Sequence, residues 1–174
     1  MARSILAVSG SLRKQSTNSR LLLEVGRYAG AGFSFELFDQ LEALPHYNPD
    51  REDQLTRVTE LWINKVKEAE VVIFASPEYA HGIPGAFKNA LDWLVGTDAF
   101  INKPYTLYCA CPRPVHCPAQ LLEVLNTMSG VHVQEADVTI DMQRNFEIAD
   151  HVLARPDSIE RIRASLALLK DYQV

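Results

Sequence analysis

The chain has 174 residues, of which 47% are hydrophobic and 22% charged, with a formal net charge of −5 and a sequence pI of about 5.5. These values fit one globular domain over residues 1–174 and exclude a disordered chain or one dominated by membrane spans. The acidic balance argues against a broad nucleic-acid surface, which needs clustered Lys and Arg, and leaves small molecules as the expected partners.

No apolar stretch reaches the roughly 18–20 residues of a spanning helix. The N-terminal MARSILAVSG breaks into polar SLRKQSTN without a signal peptide's long apolar region, so the cytoplasm is the expected location. Cys109, Cys111 and Cys117 lie close together. An odd count without an export signal predicts reduced thiols.

Ile5–Val8 is a short apolar run closed by a Ser-Gly turn, as in a strand buried on both faces. From Asn18, the residues Leu21, Leu22, Val25, Tyr28 and Ala29 recur at helical spacing until Gly30 and Gly32 end the pattern. Phe33, Phe35 and Leu37 alternate with polar residues and predict a second strand. LEALPHYNPDRED reads as a connecting loop, and Leu55, Val58, Trp62, Val66 and Ala69 as a second helix. Val71–Ala75 is a third, continuously apolar strand. Phe87, Ala90, Leu91 and Leu94 mark a third helix, and Tyr105–Cys111 a fourth strand. A helix with Leu121, Leu125 and Met128 follows, then a fifth strand over Val131–Ile140 and a last helix with Ile159, Ile162, Leu166 and Leu169.

Alternating buried strands and amphipathic helices imply an α/β fold, a parallel sheet covered by helices on both faces. In a three-layer sandwich of five strands ordered 2-1-3-4-5, the chain reverses direction between strands one and three and opens a crevice at their carboxyl ends. That order sets two loops side by side: SGSLRKQSTN after the first strand and SPEYAHGIPG after the third.

The first loop runs into a helix whose initial amides are free to meet an anion. Ser11, Ser16, Thr17 and Asn18 can add hydrogen bonds and Arg13 a permanent charge, a set suited to a phosphate monoester. One of Ser16, Thr17, Asn18 or Ser19 must also serve as the helix cap. Neither GxGxxG nor GxxxxGK[ST] occurs there, which disfavours a pyrophosphate or triphosphate. In the second loop, Pro77 and the Pro84-Gly85 pair predict a rigid elbow whose backbone could read the edge of a flat heterocycle, with Tyr79 as an aromatic surface. Trp93 reads as a packing residue in the core or at a subunit contact.

GSLRKQSTNSRLL and SPEYAHGIPGAFKNALDWL together resemble the NADPH-dependent FMN reductase family of flavodoxin-like proteins, which includes quinone, azo-dye and chromate reductases. LPHYNPDRED and FINKP extend the resemblance along most of the chain. It implies that Ser11, Arg13, Ser16, Thr17 and Asn18 hold the FMN phosphate, and that Pro77, Glu78, Tyr79, Ala80, His81 and Gly82 lie along the isoalloxazine. It also implies NADPH or NADH as electron donor, a ping-pong hydride mechanism with quinones, azo compounds or metal oxyanions as acceptors, and a homodimer or homotetramer. Phe87, Leu91 and Trp93 are the candidates for its contact, although the same residues would also serve an intramolecular core. The family's usual Asn after the tyrosine is Ala80 here. Where relatives carry a serine-rich diglycine stretch, this chain has CACPRPVHCPAQ, with no glycine.

The alternative function is a non-catalytic flavin-binding or electron-carrier protein. A receiver-type phosphorylation switch would need carboxylates where Ser9 and Ser76 stand, and no serine lies in a GxSxG elbow. Cys109, Cys111, His116 and Cys117 could ligate a soft metal, but buried free cysteines more often act as small apolar residues, so no metal is assigned. No catalytic side chain is assigned either. For His81, a structural or solvated role is preferred over proton donation.

Overall fold

The computed structural model describes residues 2–110, 115–142 and 153–173. Its strands are β1 (Arg3–Ser9), β2 (Phe33–Phe38), β3 (Val71–Ala75), β4 (Pro104–Ala110), β5 (Val131–His132) and β6 (Val138–Ile140). Its α-helices are α1 (Thr17–Ala29), α2 (Arg57–Glu68), α3 (Gly85–Val95), α4 (His116–Thr127) and α5 (Pro156–Asp171). The strands make one parallel sheet in the order β2-β1-β3-β4-β5, with β6 also paired to β4. The predicted order is therefore observed, and the fold is flavodoxin-like.

Strand periodicity sorts the core into two layers. Ile5, Ala7 and Ile73 face one side, where they meet Leu21, Leu22 and Val25 of α1 and Ile162, Leu166 and Leu169 of α5. Leu6, Val8 and Phe74 face the other, against Trp62 and Val66 of α2, Phe87 and Leu91 of α3, and Leu121 and Leu125 of α4. All five residues of β3 are buried, as the central strand of a doubly covered sheet requires. Each fully buried Val, Leu or Phe contributes roughly 1.5–3 kcal/mol relative to exposure.

The fifth strand departs from the expected continuous run. A 3-10 turn at Gln134–Ala136 splits it into β5 and β6, and both pieces lie on the same side of β4. Tyr105 pairs with His132 and Tyr108 with Val138, so three steps along β4 match six along the broken strand. The side chain of Asp137 fills the gap. Its Oδ1 accepts from the backbone N–H of Leu107 and the hydroxyl of Thr106, both at 2.8 Å, and His132 Nε2 lies 2.9 Å from Oδ2. A carboxylate thus replaces the carbonyl that an unbroken ladder would have offered to Leu107.

Of the two roles open to Phe87, Leu91 and Trp93, the core is the one observed: Phe87 and Leu91 are fully buried and Trp93 is 3% exposed within the chain's own core, so none of the three is free for a subunit contact. Trp93 Nε1 donates to Pro45 O at 2.8 Å and its ring meets Tyr47 edge-on at 5.2 Å, fastening the LPHYNPDRED loop over α3. Cys109 is disulfide-bonded and not the reduced thiol expected, while Cys117 is a buried free thiol. Strand four is described as far as Ala110, and Cys111, the end predicted for it, lies outside the described residues with the rest of the proline-rich CPRP segment.

Candidate functional site

The carboxyl ends of β1 and β3 lie in register, Ser9 opposite Ala75, and the chain leaves them through the two unusual loops. Gly10 N–H donates to Ala75 O at 2.8 Å, which ties the exits together. Farther out, Ser11 Oγ and Tyr79 OH stand 3.4 Å apart, so the loops converge as the strand order implies. Leu12 and Tyr79 are exposed at this mouth.

In the first loop, Ser16 is the helix cap: its buried Oγ accepts from Ser19 N–H at 3.3 Å. Thr17 Oγ1 donates to Ala110 O, and Asn18 Oδ1 accepts from Ala110 N–H, both at 2.8 Å. Ser11 Oγ, besides facing Tyr79 OH, accepts from Arg13 N–H at 3.2 Å, so four of the five side chains expected to hold a phosphate have internal partners, and two of them, Thr17 and Asn18, clamp the end of β4. Ser11 is half-buried and Arg13 exposed. The first intrahelical bond runs from Arg20 N–H to Ser16 O. Among the described residues, the amides of Thr17 and Asn18 have no protein acceptor. Those two N–H groups, the positive end of the 13-residue α1, Ser11 and Arg13 are what this loop offers an anion.

The second loop is a tight turn. Tyr79 and Gly82 exchange both backbone hydrogen bonds, at 3.1 and 2.9 Å, and the residues between them, Ala80 and His81, have φ of 50° and 61°. Two consecutive positive φ values mark a type I′ turn, which favours Asn, Asp or Gly. The Asn that the family usually carries at position 80 suits this backbone, and Ala80 bears the cost of a Cβ in the left-handed region. Ala80→Asn or Ala80→Gly is expected to raise stability by about 1 kcal/mol. Thermal unfolding checks this, and an unchanged midpoint in both variants would contradict it.

Two side chains fasten the elbow to α4. Glu78 Oε2 accepts from the N–H groups of Val115, His116 and Cys117 at 3.1, 2.8 and 2.9 Å. Gln120 Nε2 donates to His81 O at 3.0 Å, and its Oε1 accepts from Ile83 N–H at 3.3 Å. Glu78 therefore serves the helix start with one oxygen, beyond any contact expected with a ligand ring. Gln120 was not foreseen. A signal for the brace existed in the sequence, since α4 opens at Val115-His116 with no capping side chain, and a helix start without a local cap needs an acceptor from elsewhere.

The hydrogen bond from Cys117 N–H, then those from His116 and Val115 and the His81 contact, hold the Glu78 carboxyl down to about 2 from an ordinary 4.5, against an opposing desolvation effect. A depressed folded-state value stabilises the fold above about 4.5, and that contribution fades as pH falls toward 2. The stability difference between wild type and Glu78→Gln, followed by thermal unfolding, is thus expected to be full near neutrality and to shrink across that acid window. A pH-independent difference would refute the brace. Burial raises the Cys117 thiol, and its Sγ lies 3.6 Å from Ser76 Oγ, which leaves it a protonated packing group.

The pattern that defines the NADPH-dependent FMN reductase family matches residues 3–145. A 2-hydroxy-1,4-benzoquinone reductase from a Burkholderia species is 36% identical over 93 residues, covering 53% of this chain and 50% of that protein. An NAD(P)H-dependent FMN reductase of Pseudomonas aeruginosa is 37% identical over 90 residues, covering 51% and 48%. The chain spans about half the length of the curated relatives it matches. In structure it resembles FerB, a flavoenzyme NAD(P)H:(acceptor) oxidoreductase from Paracoccus denitrificans, with a TM-score of 0.84 at 23% identity over 98% of this chain and 97% of the other. That likeness bears on the fold alone. The match over residues 3–145 shows that the chain belongs to the NADPH-dependent FMN reductase family.

Proposed function

We propose that the chain acts as a single FMN-binding domain, an NAD(P)H-dependent oxidoreductase that reduces small acceptors such as quinones, azo compounds or metal oxyanions. The observation that carries this reading is the convergence of the two loops, with Ser11 Oγ and Tyr79 OH 3.4 Å apart beside the unpaired first-turn amides of α1. A phosphate monoester fits that donor set: Thr17 and Asn18 N–H, Ser11 Oγ, and the Arg13 guanidinium, with Ser16 fixing the helix start. The elbow over Pro77, Glu78, Tyr79, Ala80, His81 and Gly82 is rigid enough to flank a flat ring. Its outward backbone groups and the exposed Tyr79 ring supply hydrogen bonds and an aromatic surface. When bound, FMN supplies the hydride and electron chemistry that none of these side chains provides.

The protein's own work is then placement and access. Asn18 and Thr17 tie the first loop to the end of β4, and Glu78 and Gln120 tie the elbow to the start of α4, which supports a slot that is built before any ligand enters. Donor and acceptor use one opening in turn, a ping-pong order, and no side chain is required as acid or base in the first half. Among the described residues no helix is long and apolar enough to cross a membrane. Cytoplasmic residence remains the proposed location, and a homodimer or homotetramer the proposed assembly. Val95, the last residue of α3, and Ile101 beyond it are both exposed and replace the buried Phe87, Leu91 and Trp93 as candidates for its contact.

Purified protein incubated with FMN and desalted should retain about one flavin per chain and bleach when NADPH is added without oxygen, with reoxidation on adding a quinone. Failure to retain FMN overturns the reading. Retention without NADPH-dependent bleaching favours the electron-carrier alternative.

A further inference from the structure

We infer that Glu78, His81 and His116 form a binding site for one borderline divalent cation, of which Zn²⁺ is the representative, where the elbow meets the start of α4. One ligand atom from each residue lies within 4.8 Å of the other two. Two imidazoles and a carboxylate are a common donor set for zinc with a coordination position left open.

The three groups are held by features already fixed for other reasons. Three backbone amides grip Glu78 Oε2, which leaves Oε1 available, 3.2 Å from His81 Nδ1. The same amides are the positive end of α4, and Glu78 offsets it before a cation arrives. His81 sits in the two-residue turn, with its carbonyl held by Gln120. His116 is the first residue of α4, so the Glu78 brace that joins elbow to helix also brings the two imidazoles together. Their ring centroids are 4.5 Å apart at an interplanar angle of 76°. Ligands about 2.0–2.1 Å from a tetrahedral zinc stand roughly 3.4 Å from one another. The remaining distance is left to rotation of the two imidazoles, both of which are exposed.

His132 shows what a histidine with a structural task looks like here. Its ring stacks on Tyr105 at 5.1 Å, and its Nε2 faces the Asp137 carboxylate. Among the described residues, the His116 imidazole has no hydrogen-bond partner, and the His81 side chain is 78% exposed. The cation site needs no flavin and stands or falls separately from the proposed activity.

The test uses the full chain, stripped with a chelator and titrated with Co²⁺ followed by visible d–d absorption, and with Zn²⁺ by calorimetry. One ion per chain is expected. His81→Gln and His116→Gln should each weaken binding by more than about tenfold, the loss that even outer-shell substitutions bring at metal sites. His46→Gln, at an exposed histidine in the LPHYNPDRED loop, should leave affinity unchanged. Thermal unfolding of each variant confirms that it is folded. Absence of stoichiometric binding overturns the site, as does unchanged affinity in either His81→Gln or His116→Gln.

Discussion

Replacing Asn18 by alanine is expected to lower stability by roughly 1–3 kcal/mol, the cost of leaving a buried backbone donor without an acceptor. Asn18 is 1% exposed, and its Oδ1 receives the Ala110 N–H at 2.8 Å. Ala110 is itself 1% exposed, so water cannot readily replace the lost acceptor. For a chain of this size each kcal/mol corresponds to roughly 2–4 °C in the unfolding midpoint. Thr17→Val removes the companion bond to Ala110 O. Because both side chains hold one residue, the double variant should fall short of the sum of the single effects. Flavin retention should fall as well, since the clamp also sets the first-turn amides of α1. An Asn18→Ala midpoint equal to wild type would show that the clamp carries no weight.

Gly10→Ala should cost a comparable roughly 1–3 kcal/mol by overpacking, with its damage directed at the slot. A Cβ at position 10 would stand 2.6 Å from Phe87 Cδ1 and 2.6 Å from Ser76 Oγ. The serine hydroxyl can rotate away, but Phe87 is fully buried and tilted against Phe74 at 5.6 Å, so relief must come from moving the strand exits or α3. Either movement strains the 2.8 Å bond from Gly10 N–H to Ala75 O that sets the two loops at their working distance. Thermal unfolding and FMN retention together check this. A stable variant that still retains FMN would mean the exits are not under this constraint.

The sequence made the order of elements readable because nearly every strand announces itself by continuous burial or alternation. Val71–Ala75 is the clearest instance, a five-residue run with all residues buried. The two loops were recognisable from small polar residues and prolines at fixed places. What escaped notice depends on contacts distant in sequence. The break at Gln134–Ala136 is sustained by an Asp137 carboxylate bonded to Thr106 and Leu107, 31 and 30 residues away, and no local pattern announces such a substitution. Likewise, Thr17 and Asn18 look like ligand groups in a string of donors until β4 arrives 92 or more residues later and engages them. The positive φ at Ala80 and His81 was hidden because neither is a glycine or asparagine, the residues that normally advertise such a turn.

The broken last strand has a consequence for how molecules of this protein meet one another. A sheet border is a row of backbone groups that a neighbouring chain can extend, the first step toward fibrous aggregates, and proteins counter it with short or interrupted margins. Beyond β4 the described margin consists of segments of two and three residues separated by a tight coil, too little for a foreign strand to template upon. Restoring continuity by deleting residues 134–136 would expose one longer flat margin. Such a protein would be prone to precipitate on heating while its wild-type parent stays in solution.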